Sequence, residues 1–247
     1  MYIYNMSIVE IDSKFKPLKP VKEAMDVWLP DVNRNIPARN GFVYAMVGTG
    51  GCGKSSTLLN MLKSKEYYRG KFENVILFCP LTSFLSVEKH PLADHERVHH
   101  ELDVELLNDI EDELLDIKAE CLDMECELEH TLIIVDDMAG YLKDKQIQKA
   151  LSKLIMKTRH LSASWIFTLQ QLKYMPATIR RQLTNISIWK PKSANEWNNV
   201  CEEFFGIEKD KRQHIYEYCF DKPYQHLDID LTNGKLFKNF NSLLFKD

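Results

Sequence analysis

Gly48 to Ser55 reads GTGGCGKS and satisfies every fixed position of the phosphate-binding pattern G-x-x-x-x-G-K-[ST]. Glycines let main-chain N–H groups close on phosphate oxygens without a Cβ in the way. The phosphate-binding set is then Gly48, Thr49, Gly50, Gly51, Cys52, Gly53, Lys54, Ser55 and Ser56. In this pattern Lys54 reaches the β- and γ-phosphates, and the Ser55 hydroxyl holds Mg²⁺. A second group of polar residues lies downstream, where Asp136 and Asp137 close the apolar run TLIIVDD. A strand ending in acid after a phosphate loop is the second signature of P-loop nucleoside triphosphatases. Asp136 is placed to hold the metal with Ser55. Asp137 is placed to orient an attacking water as general base. Many enzymes of this kind carry Glu there, and Asp is one methylene shorter. Gln170 ends a fourth apolar run and can sense the γ-phosphate.

These groups work only if strands and a helix position them. GFVYAMV (41–47) reads as a strand running into the loop, and SSTLLNMLK (55–63) as the helix leaving it. NVILFCP (74–80), TLIIVDD (131–137), SWIFTLQ (164–170) and ISIWK (186–190) are further strand candidates. Near-continuous apolar runs indicate strands buried on both faces, hence a mostly parallel sheet flanked by helices. The fold class is therefore α/β, a P-loop NTPase of the type with an additional strand between the two signature strands. The fourth run is expected to be that strand, next to the phosphate-loop strand. Asn233-Gly234 between two alternating runs predicts a hairpin over 224–240, at the sheet edge.

The chain has 247 residues, 45% hydrophobic and 28% charged. That suits one ATPase domain over 41–247 behind a proline-marked lead-in over 1–40. No segment is apolar enough to span a bilayer, and the first residues lack a signal-peptide pattern. The six cysteines include no C-x-x-C pair, which fits a reducing cell interior. Net charge is −4, but residues 101–129 hold 13 acidic residues against one lysine, Lys118. The remainder carries 31 basic and 23 acidic residues, so nucleic-acid binding is permitted by charge. Within that acidic insertion Leu107, Ile110, Leu114, Ile117, Cys121, Met124 and Leu128 repeat at heptad spacing. The pattern fits a helix packed on its own domain or a contact with another subunit or protein.

The order GTGGCGKS, TLIIVDD, TRHLSASWIFTLQQ (158–171) and MPATIRRQLTNISIWK (175–190) resembles the FtsK/HerA-type DNA-translocating ATPases. Within them it is most similar to the genome-packaging ATPases of poxviruses, other large eukaryotic DNA viruses and virophages. The resemblance covers about residues 40–190. It implies ATP and Mg²⁺ as cofactors and a homo-oligomeric ring, pentameric or hexameric, that drives double-stranded viral DNA into a preformed capsid. It also implies a partner at the capsid portal vertex, no membrane partner, and a place in the host cytoplasm, the virus factory or the virion. In such rings an arginine of the neighbouring subunit reaches the nucleotide. Arg159 is the first candidate for that catalytic role, ahead of Arg180 and Arg181. A related DNA translocase and an ATP-dependent switch or assembly factor are the alternative readings. The chain lacks the N-K-x-D guanine-reading motif, and its preference for ATP rests on the resemblance.

Other features carry weaker signals. Lys145, Lys149, Lys153 and Lys157 share one helix face, which fits a phosphate backbone, a solvated face or the acidic helix. His90, His95, His99 and His100 lie in a polar stretch with no cysteine nearby, a poor metal pattern. Cys52 lies inside the phosphate loop, either as a small residue that fits there or as a thiol whose alkylation would block ATP binding.

Overall fold

A computed structural model describes residues 27–204, 206 and 208–244. Residues 1–26 of the expected lead-in lie outside the described residues. The elements run β1 (Val43–Val47), α1 (Lys54–Lys63), β2 (Asn74–Phe78), α2 (Leu81–Leu85), β3 (Val98–His99), α3 (Val104–Asp123) and β4 (Thr131–Asp136). They continue with α4 (Lys145–Ile155), β5 (Ala163–Leu169), α5 (Ala177–Arg180), β6 (Asn185–Trp189), α6 (Ala194–Phe204) and α7 (Lys209–Cys219). The chain closes with β7 (His226–Asp230), β8 (Lys235–Lys238) and β9 (Asn241–Ser242).

The nine strands among the described residues form one sheet in the order β3-β2-β4-β5-β1-β6-β7-β8-β9. The first six positions are parallel; β7, β8 and β9 extend the sheet antiparallel. β5 lies between β4 and β1, as the order of the signature runs predicts. Alternate strand residues enter two cores, which is why the runs are apolar throughout. Val43, Ala45, Val47, Ile133, Val135, Trp165 and Phe167 pack with α3, α4 and α6 on one face. Tyr44, Met46, Ile134 and Ile166 pack on the other face with Leu58 and Met61 of α1. Leu29, Val32 and Ile36, ahead of β1, join that second core.

The acidic helix departs from its sequence pattern. Asp103 caps α3, accepting a hydrogen bond from the Leu106 amide at 2.8 Å. Leu107, Ile110 and Leu114 are buried, but Leu122 and Met124 are exposed. The helix ends at Asp123, so Leu128 of the heptad run lies beyond it. Among the described residues, only the first half of the repeat has a body of protein to pack against. Packing, rather than periodicity, sets where such a helix is covered.

Two members of the lysine stripe serve that packing. Lys153 and Lys157 hold the buried Glu111 of α3 at 2.7 and 2.5 Å, while Lys145 and Lys149 stay exposed. Burial alone would raise the Glu111 carboxyl. Hydrogen bonds and charge from the two lysines outweigh it and hold the group below its usual value.

The expected hairpin forms between β7 and β8, with Asp230 facing Lys235. Its loop is four residues long rather than a two-residue Asn-Gly turn. Asp230 accepts hydrogen bonds from the amides of Thr232 and Asn233, which supports the longer loop. A short β9 covers its outer side.

Candidate active site

The phosphate loop leaves the C-terminal end of β1 and enters α1 at Gly53, whose φ of 108° suits glycine alone. Gly48 sits where no side chain fits, since a methyl group there would lie 2.7 Å from both the Cys52 Sγ and the Trp189 Cβ. Around Gly50 and Gly51 the space is open. Among the described residues the amides of Gly50, Gly51 and Gly53 donate to no protein group, and they stand at a helix N-terminus. That arrangement fits a polyphosphate. The Lys54 ammonium donates to the carbonyls of Gly48 at 2.7 Å and Thr49 at 3.1 Å, and it is largely buried. It therefore lies against the loop rather than out in solvent.

The parallel register brings the second signature to the same edge. In it Asp136 faces Thr168, and Thr168 faces Met46 near the end of β1. Ser55 Oγ donates to Asp136 Oδ1 at 3.3 Å, and Thr168 Oγ1 donates to the same oxygen. Burial raises the Asp136 carboxyl, aided by the charge of Asp137; Thr168, Ser55 and Lys54 act in the opposite sense. A hydroxyl beside one carboxylate at the foot of a phosphate loop fits Mg²⁺, which takes few protein oxygens and keeps phosphate and water ligands. Bound there, the cation would neutralise charge on the phosphates.

Asp137 is exposed and adopts a left-handed φ of 54°. Its amide donates to Thr168 Oγ1 at 3.0 Å. Gln170 Nε2 lies 3.5 Å from its carboxylate. The turn thus aims the second acid away from the sheet and beside the glutamine. Cys79, at the end of β2, lies 3.8 Å from Asp136 Oδ2. Burial and the Asp136 charge push its thiol to about 12, so it stays protonated.

The arginines fall elsewhere. Arg159 precedes β5, beside Gly41 at the opposite end of the sheet from the loop. The seven residues of β5 between them span roughly 23 Å at ~3.3 Å per residue. Within one chain Arg159 therefore does not join the site. Arg180 pairs with Glu203 of α6 at 2.9 Å, and Arg181 is exposed. The histidines are tied into their own loop. The His90 ring packs on Phe84, and the His100 Nδ1 lies 2.9 Å from the Cys79 carbonyl.

Two residues of this edge carry no sequence motif. Thr168 is a polar residue inside an apolar run, and parallel pairing with Asp136 is the signal that could have marked it. Tyr224 stands across the loop at Gly53, and only the three-dimensional structure places it there.

Comparison with known proteins finds a family and a shared fold. The model of the Poxvirus A32 protein family matches residues 31–215. No curated protein matches the sequence. Among solved structures, the genome packaging NTPase B204 of Sulfolobus turreted icosahedral virus 2, bound to ATPγS, is 15% identical with a TM-score of 0.53. The alignment covers 82% of this chain and 98% of that one. B204 from Sulfolobus turreted icosahedral virus, described as a DNA-packaging ATPase, is 16% identical with a TM-score of 0.53, over 84% and 99% of the two chains. ATPases 2 and 3 of EssC from Geobacillus thermodenitrificans match with a TM-score of 0.59 at 14% identity, covering 84% of this chain and 41% of that one.

Proposed function

Since this chain belongs to the Poxvirus A32 protein family, an ATP-hydrolysing P-loop group, we propose that it is the motor that drives double-stranded viral DNA into a preformed capsid. The observation that carries this reading is the contact between Ser55 and Asp136, which joins the phosphate loop to the acid closing β4. Lys54 is placed to neutralise charge on the terminal phosphates, and Ser55 and Asp136 are the residues that would hold Mg²⁺. Asp137 orients the attacking water and takes its proton. Gln170, beside it, couples the state of the γ-phosphate to the end of β5. That the two B204 structures are of a genome packaging NTPase and a DNA-packaging ATPase supports the direction of this reading.

The motor acts as a ring of identical subunits. Arg159 lies far from its own loop, so any part it takes in hydrolysis is played on a neighbouring subunit's nucleotide. The capsid portal is the docking partner of the ring, and host cytoplasm, virus factory or virion its place of action. The stretch of exposed lysines at Lys145 and Lys149 is available to a DNA backbone.

ATP hydrolysis with and without double-stranded DNA, measured beside native mass, tests the proposal. DNA-stimulated turnover by an oligomer is expected, absent in Lys54→Ala. Turnover by a monomer that DNA leaves unchanged would favour an ATP-dependent switch or assembly factor instead.

A further inference from the structure

The phosphate loop has a second rim, formed by the turn that leads into β7. That turn lies on the side of β1 away from Asp136, because β6 and β7 follow β1 in the sheet while β5 and β4 precede it. It contains Pro223 and Tyr224. The Tyr224 ring stands against the loop: a methyl group built on Gly53 would lie 3.6 Å from its Cδ1. Between the turn and the start of α1 is a cavity of about 420 Å³, lined by Gly53, Ser56, Thr57, Asn60 and Tyr224 among others.

Tyr224 occupies this place against its own backbone preference. It adopts φ 64°, a region in which a side chain clashes with the main chain and glycine is the usual residue. The residue is 72% exposed, so core packing does not account for its place. Local strain of this kind collects at ligand-binding sites. A second feature lies at the same seam. Trp189 is 1% exposed, and its indole Nε1 has no hydrogen-bond partner among the described residues. That nitrogen lies 3.6 Å from the same methyl position on Gly53. A buried donor without an acceptor is uncommon and asks for an explanation at the site where it occurs.

We propose that Tyr224 is the platform on which the base of the nucleoside triphosphate stacks. The inference rests on the phosphate-loop reading above and deepens it. Terminal phosphates drawn toward Asp136 and Gln170 leave the nucleoside on the opposite side of the loop, over the cavity. There the flat exposed ring meets the base, and the Asn60 amide offers a donor and an acceptor at the cavity wall. Aromatic stacking tolerates any base, so Tyr224 supplies affinity while Asn60 is the group able to discriminate among bases.

Dissociation constants for ATPγS and for inorganic tripolyphosphate, each with Mg²⁺, test this in the full chain. Tyr224→Gly relieves the backbone strain, so its thermal midpoint should equal or exceed that of the unsubstituted protein. Its ATPγS affinity should fall about tenfold, while tripolyphosphate affinity is unchanged. Tyr224→Phe should retain ATPγS binding within about twofold, since the ring does the stacking. Unaltered ATPγS affinity in Tyr224→Gly overturns the proposal. Equal weakening of both ligands also overturns it, because the tyrosine would then shape the loop rather than meet the base. Failure of the unsubstituted protein to bind either ligand would instead overturn the phosphate-loop reading, and this inference with it.

Discussion

Asp136 shows how one carboxylate is held ready at a cost to the fold. Burial raises it, and the hydroxyls of Ser55 and Thr168 offset only part of that cost. A raised carboxyl binds its proton more readily folded than unfolded, so it favours the native state at acid pH and opposes it once ionised. Asp136→Asn should therefore raise the thermal midpoint of the metal-free protein at pH 7 while abolishing ATP hydrolysis. A lowered midpoint would mean that the charge is better satisfied than its surroundings indicate. Thr168 serves both acids, donating to Asp136 and accepting from the Asp137 amide. Thr168→Val keeps the shape and removes the hydroxyl. Loss of a hydrogen bond to a charged group is worth about 1.5–3 kcal/mol, so turnover should fall at least tenfold and half-saturation by Mg²⁺ should rise. Lys54, Ser55 and Asp136 were readable as a group because two motifs name them. Thr168 was not, because its role exists only through strand pairing. Tyr224 was not, because its neighbour in space is 171 positions away in sequence at Gly53.

Between elements, two ion pairs of the acidic segment join α3 to α4. Glu111 is buried, whereas Lys153 and Lys157 keep much of their exposure. Removing both lysines leaves a carboxylate in the core without a counter-charge. The double variant Lys153→Ala, Lys157→Ala should lose about 3 kcal/mol in urea unfolding. Lys145→Ala, Lys149→Ala should stay within about 0.5 kcal/mol. The second pair instead tests DNA binding: for every phosphate a lysine no longer neutralises, the salt dependence of binding flattens by about 0.9 log unit. An unchanged salt slope would leave those lysines as a solvated face. The sign for Glu111 is opposite to that for Asp136. Its folded-state carboxyl is held low, so its stabilisation is present above the ordinary glutamate range and is lost as pH falls through the lower folded value. Glu111→Gln should accordingly blunt the acid limb of the stability curve. Heptad spacing predicted this helix but overran it, because the repeat records an amphipathic face and not how far the neighbouring α4 extends. The hairpin was legible from Asn233-Gly234, although Asp230 and its two amide bonds gave the loop four residues.

At the scale of the whole molecule, the question is which end of the sheet meets a neighbour. The loop and both acids lie at the C-terminal ends of the parallel strands; Arg159 lies at the other end. If Arg159 serves the adjacent subunit, mixing Arg159→Ala chains with Asp137→Asn chains should restore part of the ATPase activity that each lacks alone. No recovery at any ratio, or full activity of the arginine variant by itself, removes Arg159 from the reaction. The amino-acid sequence by itself determined the loop, the acids, the α/β class and the place of the additional strand. These follow from local rules: glycine where amides must approach a ligand, and apolar runs where both faces of a strand are buried. Only the tertiary structure decided that Thr168 bridges the two acids, that Tyr224 faces the loop, that half the acidic helix stands uncovered among the described residues, and that two lysines face inward. Each of those depends on which distant segments become neighbours, and spacing along a chain does not encode distance across a sheet.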